Sequence, residues 1–250
     1  MRCVILLLLV GLAAGCSTTV NKAFYQPTGK VYRTPDKDDL DYEDVAFASA
    51  DGTMLTGWFI PATYEPRGTV IHFHGNAQNM TSHYRYVGWI ADEGFNVFVF
   101  DYRGYGRSAG TPDRKGVYED CVAAVRYVQQ RGDVNPEKII VIGQSLGAAN
   151  AIAVVGREKF NGILGIVAEA PFASYGEIAT DHLAASSGSI GKAAVSDAYS
   201  PDAVVGKLGV PLIVIHGTAD RVVPYKHGKQ LFDKAKEPKQ IWTIKGDRKS

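Results

Sequence analysis

Hydrophobic and polar positions follow two different patterns on either side of about residue 68. Before that point, two runs with β-type alternation, 43–49 and 54–60, flank Asp51-Gly52, a dipeptide that is typical of tight turns. This arrangement predicts an antiparallel hairpin at one edge of a sheet. After that point, short apolar runs alternate with longer segments of helical period. The predicted strands are 69–73, 95–100, 138–142, 163–168, 211–215 and 240–244, and the predicted helices are 83–93, 115–131, 145–155 and 226–236.

Strands that alternate with helices predict an α/β fold with a mostly parallel central sheet and helices on both faces. We expect one domain over 42–250, because a chain of 250 residues is long enough for a single large core. The connection from Ser174 to Pro211 is rich in small and polar residues and is long for a compact domain. It predicts a small helical lid at about 175–208, with a mobile loop as the alternative.

The first residues of the chain follow a pattern of their own. An apolar run at 4–14 follows Arg2 and is shorter than the roughly 20 residues that a membrane-spanning helix needs. It matches the apolar core of an export signal. The run ends in Ala14-Gly15-Cys16, which resembles a bacterial lipoprotein signal, in which the chain is cut before the cysteine and that cysteine is acylated.

This resemblance implies a lipoprotein signal peptide at 1–15, a lipid such as palmitate on Cys16, and a tether at 16–41. The protein would then lie in the bacterial cell envelope, anchored to a membrane through its lipid. A plain secretory signal with an incidental cysteine is the alternative.

Charge and cysteine content exclude several classes of partner. The formal net charge is +1, and no basic run stands out, so a nucleic acid is not expected as a partner. Neither paired cysteines nor an H-E-x-x-H motif occurs, so we expect no metal site and no cofactor. Cys121 has helical spacing with apolar neighbours and is interpreted as a core residue.

The segment Gly143-Gln144-Ser145-Leu146-Gly147 matches G-x-S-x-G, and it follows a β-rich run and precedes an alanine-rich helix. In this context the motif indicates a sharp strand-to-helix turn that presents the serine above the sheet. Glycines are needed at the flanking positions because side chains there would collide with the neighbouring strand and helix. We therefore predict that Ser145 is a nucleophile, next to a helix N-terminus that favours a developing oxyanion.

Two other motifs complete the candidate site. His74-Gly75-Asn76 follows the strand predicted at 69–73, and an H-G loop of this kind supplies one backbone N–H to an oxyanion hole, while the residue after the nucleophile supplies another. We expect these donors on Asn76 and Leu146. Asp220 follows the strand predicted at 211–215 and suits the acid of a Ser-Asp-His triad, where a carboxylate orients the imidazole. A surface turn is the alternative for this aspartate.

Together these motifs resemble the Bem46-like, serine-aminopeptidase-like branch of the α/β-hydrolases, over about 42–244. Other matching segments are Gly57-Trp58-Phe59-Ile60-Pro61, Asp101-Tyr102-Arg103-Gly104-Tyr105-Gly106-Arg107-Ser108, Glu169-Ala170-Pro171-Phe172 and Tyr199-Ser200-Pro201. The resemblance implies an α/β-hydrolase of the serine esterase, thioesterase or lipase type, which cleaves carboxylic ester or thioester bonds. It implies a small-molecule or lipid acyl substrate, and we expect a monomer.

The sequence departs from this family where the catalytic histidine is expected. The family places that residue in a loop after the last strand, and here Lys249 occupies about that position. His227 and His182 are weak candidates for the base. The closing helix of the family is also not found, so we expect the fold without its final helix and an impaired activity. A non-catalytic lipid-anchored binding module or a truncated inactive product are the alternatives.

Overall fold

The computed structural model describes residues 24–184 and 196–246. Within these residues the strands of the main sheet are β1 (Glu43–Ala48), β2 (Met54–Ile60), β3 (Gly68–Phe73), β4 (Phe95–Asp101), β5 (Ile139–Gln144), β6 (Ile163–Glu169), β7 (Leu212–Gly217) and β8 (Lys239–Ile244). The longer helices are α1 (Arg114–Gln130), α2 (Leu146–Glu158), α3 (Tyr175–Ala184) and α4 (Tyr225–Lys234). The predicted signal peptide at 1–15, Cys16 and Lys249 lie outside the described residues.

The main sheet has the strand order β8-β7-β6-β5-β3-β4-β2-β1 in the described part of the chain. Strands β3 to β8 pair in parallel, whereas β2 pairs antiparallel with both β1 and β4. The predicted edge hairpin and the mostly parallel sheet are therefore confirmed. Because β3, β5, β6 and β7 run the same way, the loops that follow them meet at one edge of the sheet.

Alternate residues of the strands enter two cores on opposite faces of the sheet. Phe98 and Phe100 belong to the larger core, and Val97 and Val99 belong to the smaller one. Helix α2 lies in the larger core, and every residue from 146 to 156 is buried. Its many alanines leave little side-chain volume between helix and sheet, so the helix approaches the strands closely.

The prediction of a regular helix at 83–93 is wrong. The chain instead forms one helical turn at Met80–His83, followed by 3₁₀ segments at Tyr84–Tyr86 and Gly88–Glu93. The side chain of Asn79 caps the first turn by accepting a hydrogen bond from the amide of Thr81. Aromatic and β-branched residues and a glycine then follow, all of which have low helix propensity, so the regular helix does not continue.

Two predicted segments are partly described. In the predicted lid at 175–208, the chain forms α3 and two 3₁₀ turns, Pro201–Ala203 and Val205–Lys207. In the predicted tether, residues 24–41 pack against the domain: Tyr25 is buried, and the side chain of Asn79 donates to the carbonyl oxygens of Thr28 and Lys30 at 2.7 and 2.8 Å. Among the described helices, none combines the length and apolar composition that crossing a bilayer requires.

Candidate active site

Ser145 lies in the turn between β5 and α2 with φ 52° and ψ −111°. A positive φ is uncommon for a residue with a side chain and costs backbone energy. The turn is fastened to the neighbouring strand, because the amide of Ser145 donates to the carbonyl oxygen of Glu169 at 2.8 Å. The backbone therefore has the conformation expected of a nucleophile elbow, and the serine side chain is half-buried.

The two glycines of the motif stand where no side chain fits. A β-carbon on Gly143 would lie 2.5 Å from the carbonyl oxygen of Gly147 and 2.6 Å from the α-carbon of Ala148. A β-carbon on Gly147 would lie 2.6 Å from the carbonyl oxygen of His74. The tight turn thus depends on close contact between β5, α2 and the loop after β3.

The loop after β3, His74-Gly75-Asn76-Ala77, is held by two tyrosines of the loop after β4. The hydroxyl of Tyr105 donates to the carbonyl oxygen of Asn76 at 2.7 Å, and that of Tyr102 donates to the carbonyl oxygen of His74 at 2.9 Å. The side-chain oxygen of Asn76 also accepts from the amide of Gln26 at 3.0 Å. These bonds fix the peptide groups of the loop beside the elbow.

The predicted oxyanion donors lie at the ends of neighbouring strands. Asn76 follows β3, and Leu146 is the first residue of α2, directly after β5. The amides of the first helical turn have no acceptor within the helix, so they are available to an anion. The two predicted donors are thus brought to the same edge of the sheet as the hydroxyl of Ser145.

His74 braces this loop. Its Nδ1 lies 2.7 Å from the carbonyl oxygen of Gly75, and its Nε2 lies 3.4 Å from Oδ1 of Asp101. The ring packs 4.3 Å from the ring of Tyr102. The side chain is buried, so it supports the loop from within the fold.

Asp220 follows β7, which is separated from β5 by β6. Its Oδ1 accepts from the amides of Val222 and Val223 at 2.8 and 2.9 Å. Its Oδ2 is buried and has no hydrogen-bond partner among the described residues. A buried carboxylate oxygen without a hydrogen-bond donor costs folding free energy. Such an oxygen is expected in the acid of a triad, where it would accept a hydrogen bond from an imidazole N–H.

The described histidines of this region have other partners. Nε2 of His216 lies 3.8 Å from Oδ2 of Asp220, but it bonds the carbonyl oxygen of Val223 at 2.8 Å. His227 is fully buried: its Nε2 bonds Oδ2 of Asp181 at 2.8 Å, and its Nδ1 accepts from the amide of Ala173 at 3.3 Å. Both nitrogens of His227 are thus engaged away from Asp220 and Ser145, and His182 is exposed on α3.

Burial lowers the pKa of His227, although the carboxylate of Asp181 opposes the effect. The pKa of Asp181 is lowered too, since Lys226 and His227 outweigh the effect of its burial. These contacts join α3 to the start of α4. They make this histidine a neutral link between the two helices.

The residues that hold the elbow against the loop at 74–77, called the oxyanion loop from here on, were not predicted from the sequence. Tyr105 belongs to one of the matching segments, but that segment does not show that the tyrosine hydroxyl bonds Asn76. Gln144, the second residue of G-x-S-x-G, donates from Nε2 to Oε2 of Glu169 at 3.2 Å. The described residues contain no cluster of three or more potential metal-ligating side chains.

Known proteins resemble this chain over most of its length. The model of the prolyl oligopeptidase family matches residues 81–245. The uncharacterized protein YfhR of Escherichia coli (strain K12) is 41% identical over 226 residues, covering 88% of this chain and 77% of that protein. The α/β-hydrolase domain-containing protein WAV2 of Arabidopsis thaliana is 31% identical over 214 residues, covering 81% and 69%.

A solved structure shares the architecture. An esterase from Pyrococcus furiosus superposes with a TM-score of 0.72 at 25% sequence identity, covering 89% of this chain and 90% of that chain. The predicted α/β-hydrolase fold is confirmed by this likeness together with the strand order.

Proposed function

This chain belongs to the prolyl oligopeptidase family of α/β-hydrolases, and we propose that it hydrolyses carboxylic esters or thioesters through an acyl-enzyme on Ser145. One observation carries the proposal. Ser145 has the backbone of a nucleophile elbow, and at the same edge of the sheet one buried carboxylate oxygen of Asp220 has no hydrogen-bond donor among the described residues. The Pyrococcus relative is described as an esterase, which favours ester substrates.

In the proposed reaction, Oγ of Ser145 attacks the acyl carbonyl carbon and gives its proton to a base that Asp220 would orient. None of the described histidines donates to Asp220, so this base is the one part of the machinery that the described residues do not supply. The amides of Asn76 and Leu146 stabilise the oxyanion of the tetrahedral intermediate. The intermediate collapses to an acyl-serine and releases an alcohol or thiol, which takes the proton. Water then attacks the acyl group, and the carboxylic acid leaves. Each oxyanion donor of this kind contributes roughly 100- to 1000-fold in rate.

Fluorophosphonate labelling and the turnover of p-nitrophenyl esters of different acyl lengths test the proposal. We expect labelling and turnover to be lost in Ser145→Ala and kept in Ser196→Ala, which changes an exposed serine within the segment 175–208. Labelling of both variants alike would reject Ser145 as the nucleophile. Cleavage of prolyl p-nitroanilide without cleavage of any ester would reject the ester assignment.

The state of Asp220 favours one second candidate function. No described histidine donates a hydrogen bond to Oδ2 of Asp220. A non-catalytic module that binds acyl ligands would not need such a donor. Saturable binding of a fluorescent fatty acid without ester turnover and without labelling would support this module. Turnover that Ser145→Ala abolishes would eliminate it.

We further propose that acylated Cys16 anchors the protein in a bacterial envelope membrane, with the catalytic domain monomeric. The apolar run at 4–14 and its cysteine motivate this part. Metabolic labelling with an alkyne-palmitate should mark the wild type and not Cys16→Ser. Equal labelling, or a wild type that fractionates only with soluble protein, would contradict the anchor.

A further inference from the structure

Three side chains form a hydrogen-bonded row between the elbow and the oxyanion loop. Oε2 of Glu169 accepts from Nε2 of Gln144 at 3.2 Å, and Oε1 of Gln144 lies 3.0 Å from Nδ1 of His83. Nε2 of His83 lies 2.9 Å from the carbonyl oxygen of Ala77. The row therefore starts at the end of β6, passes beside Ser145 and ends on the loop that carries Asn76.

The partners of the row determine where its protons are. A carboxylate only accepts hydrogen bonds, so Glu169 must receive its hydrogen bond from the NH₂ group of Gln144. The side-chain oxygen of Gln144 then faces Nδ1 of His83. A carbonyl oxygen also only accepts, so Ala77 requires a proton on Nε2 of His83. Both ring nitrogens of His83 thus face acceptors. Both then carry hydrogen, which makes the ring an imidazolium.

The competing arrangement places the same proton elsewhere. If Gln144 were rotated, its NH₂ group would face Nδ1 of a neutral His83, and its oxygen would face Glu169. Glu169 would then need a proton of its own to avoid contact between two acceptors. The structure has the other orientation, with the NH₂ group of Gln144 towards Glu169 and its oxygen towards Nδ1 of His83, and this orientation places the proton on the histidine.

Other titratable groups surround His83. The ring of His74 stacks at 5.4 Å, and the ring of Tyr86 lies at 5.7 Å. Burial lowers the pKa of His72, and the charges of His83 and His74 lower it further. The neighbouring His72 is therefore neutral. Oδ1 of Asp101 lies 3.4 Å from Nε2 of His74 and accepts from the amide of Met80 at 2.7 Å.

We propose that His83 is a protonated positioning residue that fixes the oxyanion loop to the elbow. A β-carbon on Gly75 would lie 3.3 Å from Cε1 of His83 and 3.2 Å from Oε1 of Gln144, so the pair packs directly under the loop. The imidazolium holds the carbonyl of Ala77, next to the peptide of Asn76, and brings a positive charge to the side of the sheet where an oxyanion would form. The catalytic part of this inference rests on the proposed function, whereas the protonation state does not.

Nitrogen-15 NMR of histidine-labelled protein at pH 7 tests the protonation. We expect both ring nitrogens of His83 to have the shifts of an imidazolium, with the signal assigned by its loss in His83→Gln. His227 serves as the internal control, because its Nδ1 accepts from an amide and its ring should therefore be neutral with hydrogen on Nε2. A neutral ring for His83 would overturn the proposal.

Glu169→Gln provides the matched variant. An amide at position 169 lets Gln144 rotate without a clash of acceptors, so we expect His83 to become neutral at pH 7 while His227 keeps its signal. If His83 stayed an imidazolium in this variant, Glu169 would not determine its protonation. That result would overturn the proposal that the hydrogen-bonded row keeps His83 protonated.

Ester hydrolysis tests the positioning role. In His83→Gln we expect kcat to fall about tenfold with KM little changed, because the oxyanion amide is displaced but not removed. A kcat equal to that of the wild type would overturn the role. If the wild type itself turns over no ester, the proposed function fails, and the NMR result still decides the state of His83.

Discussion

The α-carbon of Gly147 lies so close to the carbonyl oxygen of Phe73 that a β-carbon at position 147 would overlap it. Phe73 ends β3, and Gly147 is the second residue of α2, so this contact brings the helix N-terminus against the start of the oxyanion loop. The distance between the two predicted oxyanion donors therefore depends on the absence of one side chain.

We expect Gly147→Ala to lower the free energy of unfolding by about 1–3 kcal/mol, the usual cost of overpacking. Alanine gains at most about 1 kcal/mol over glycine in a helix, which does not offset the overlap. Urea denaturation measures the change. Gly132→Ala is the control, because nothing lies within 4 Å of its added carbon. Equal stability of the two variants would contradict this packing.

Asp220→Asn should remove activity and preserve the fold. Its remaining oxygen still accepts from the amides of Val222 and Val223, whereas an NH₂ group replaces the open oxygen that would orient the imidazole. We expect ester turnover to fall by roughly 10⁴-fold, with little change in the thermal midpoint. Asp202→Asn, which alters a surface ion pair with Lys234, is the control that should keep its turnover. Full activity of Asp220→Asn would exclude this residue as the acid.

Acid should weaken the link between α3 and α4. Since the pKa of folded His227 lies below the unfolded value of about 6.5, the unfolded chain binds more protons as the pH falls below that value. Stability is then lost on acidification, by at most about 1.4 kcal/mol per pH unit for this one group. Urea denaturation at pH 7.5 and 5.5 should show a smaller loss in His227→Gln than in the wild type. The exposed His182→Gln should behave as the wild type does, and identical pH dependence in all three would refute the assignment.

Cys121 should be inert in the folded protein. It is fully buried, and burial raises its pKa, so the reactive thiolate is scarce. In a variant with Cys3→Ser and Cys16→Ser, it is the remaining one of the three cysteines. We expect no reaction with a thiol reagent under native conditions and full reaction in guanidinium chloride. Rapid native labelling would mean that α1 opens readily.

The strands were predictable because buried parallel strands are short, continuous apolar runs bounded by turn residues. Each strand of the main sheet lies within a few residues of its predicted bounds. The segment 83–93 failed for the opposite reason, because its apolar residues resemble a helical stripe although its propensities are poor. Tertiary contacts of Tyr84 and Val87 with the smaller core hold it in a 3₁₀ form.

The candidate site was predictable where its chemistry is local in sequence. Ser145 and the H-G loop stand in compact motifs, and Asp220 stands at the end of a strand. The supporting contacts join residues far apart in the chain, such as Tyr105 with Asn76 and Gln144 with Glu169. They depend on which strands are neighbours in the sheet, and a local pattern carries no such information.

The carboxylate of Asp220 is anchored by peptide groups rather than by neighbouring side chains. Any residue other than proline offers the same amide at positions 222 and 223. Val222 is 45% exposed, so substitutions at that position can change the surface of the loop while the hydrogen bonds that hold Asp220 remain. The position of the carboxylate therefore does not limit which side chain position 222 presents to solvent.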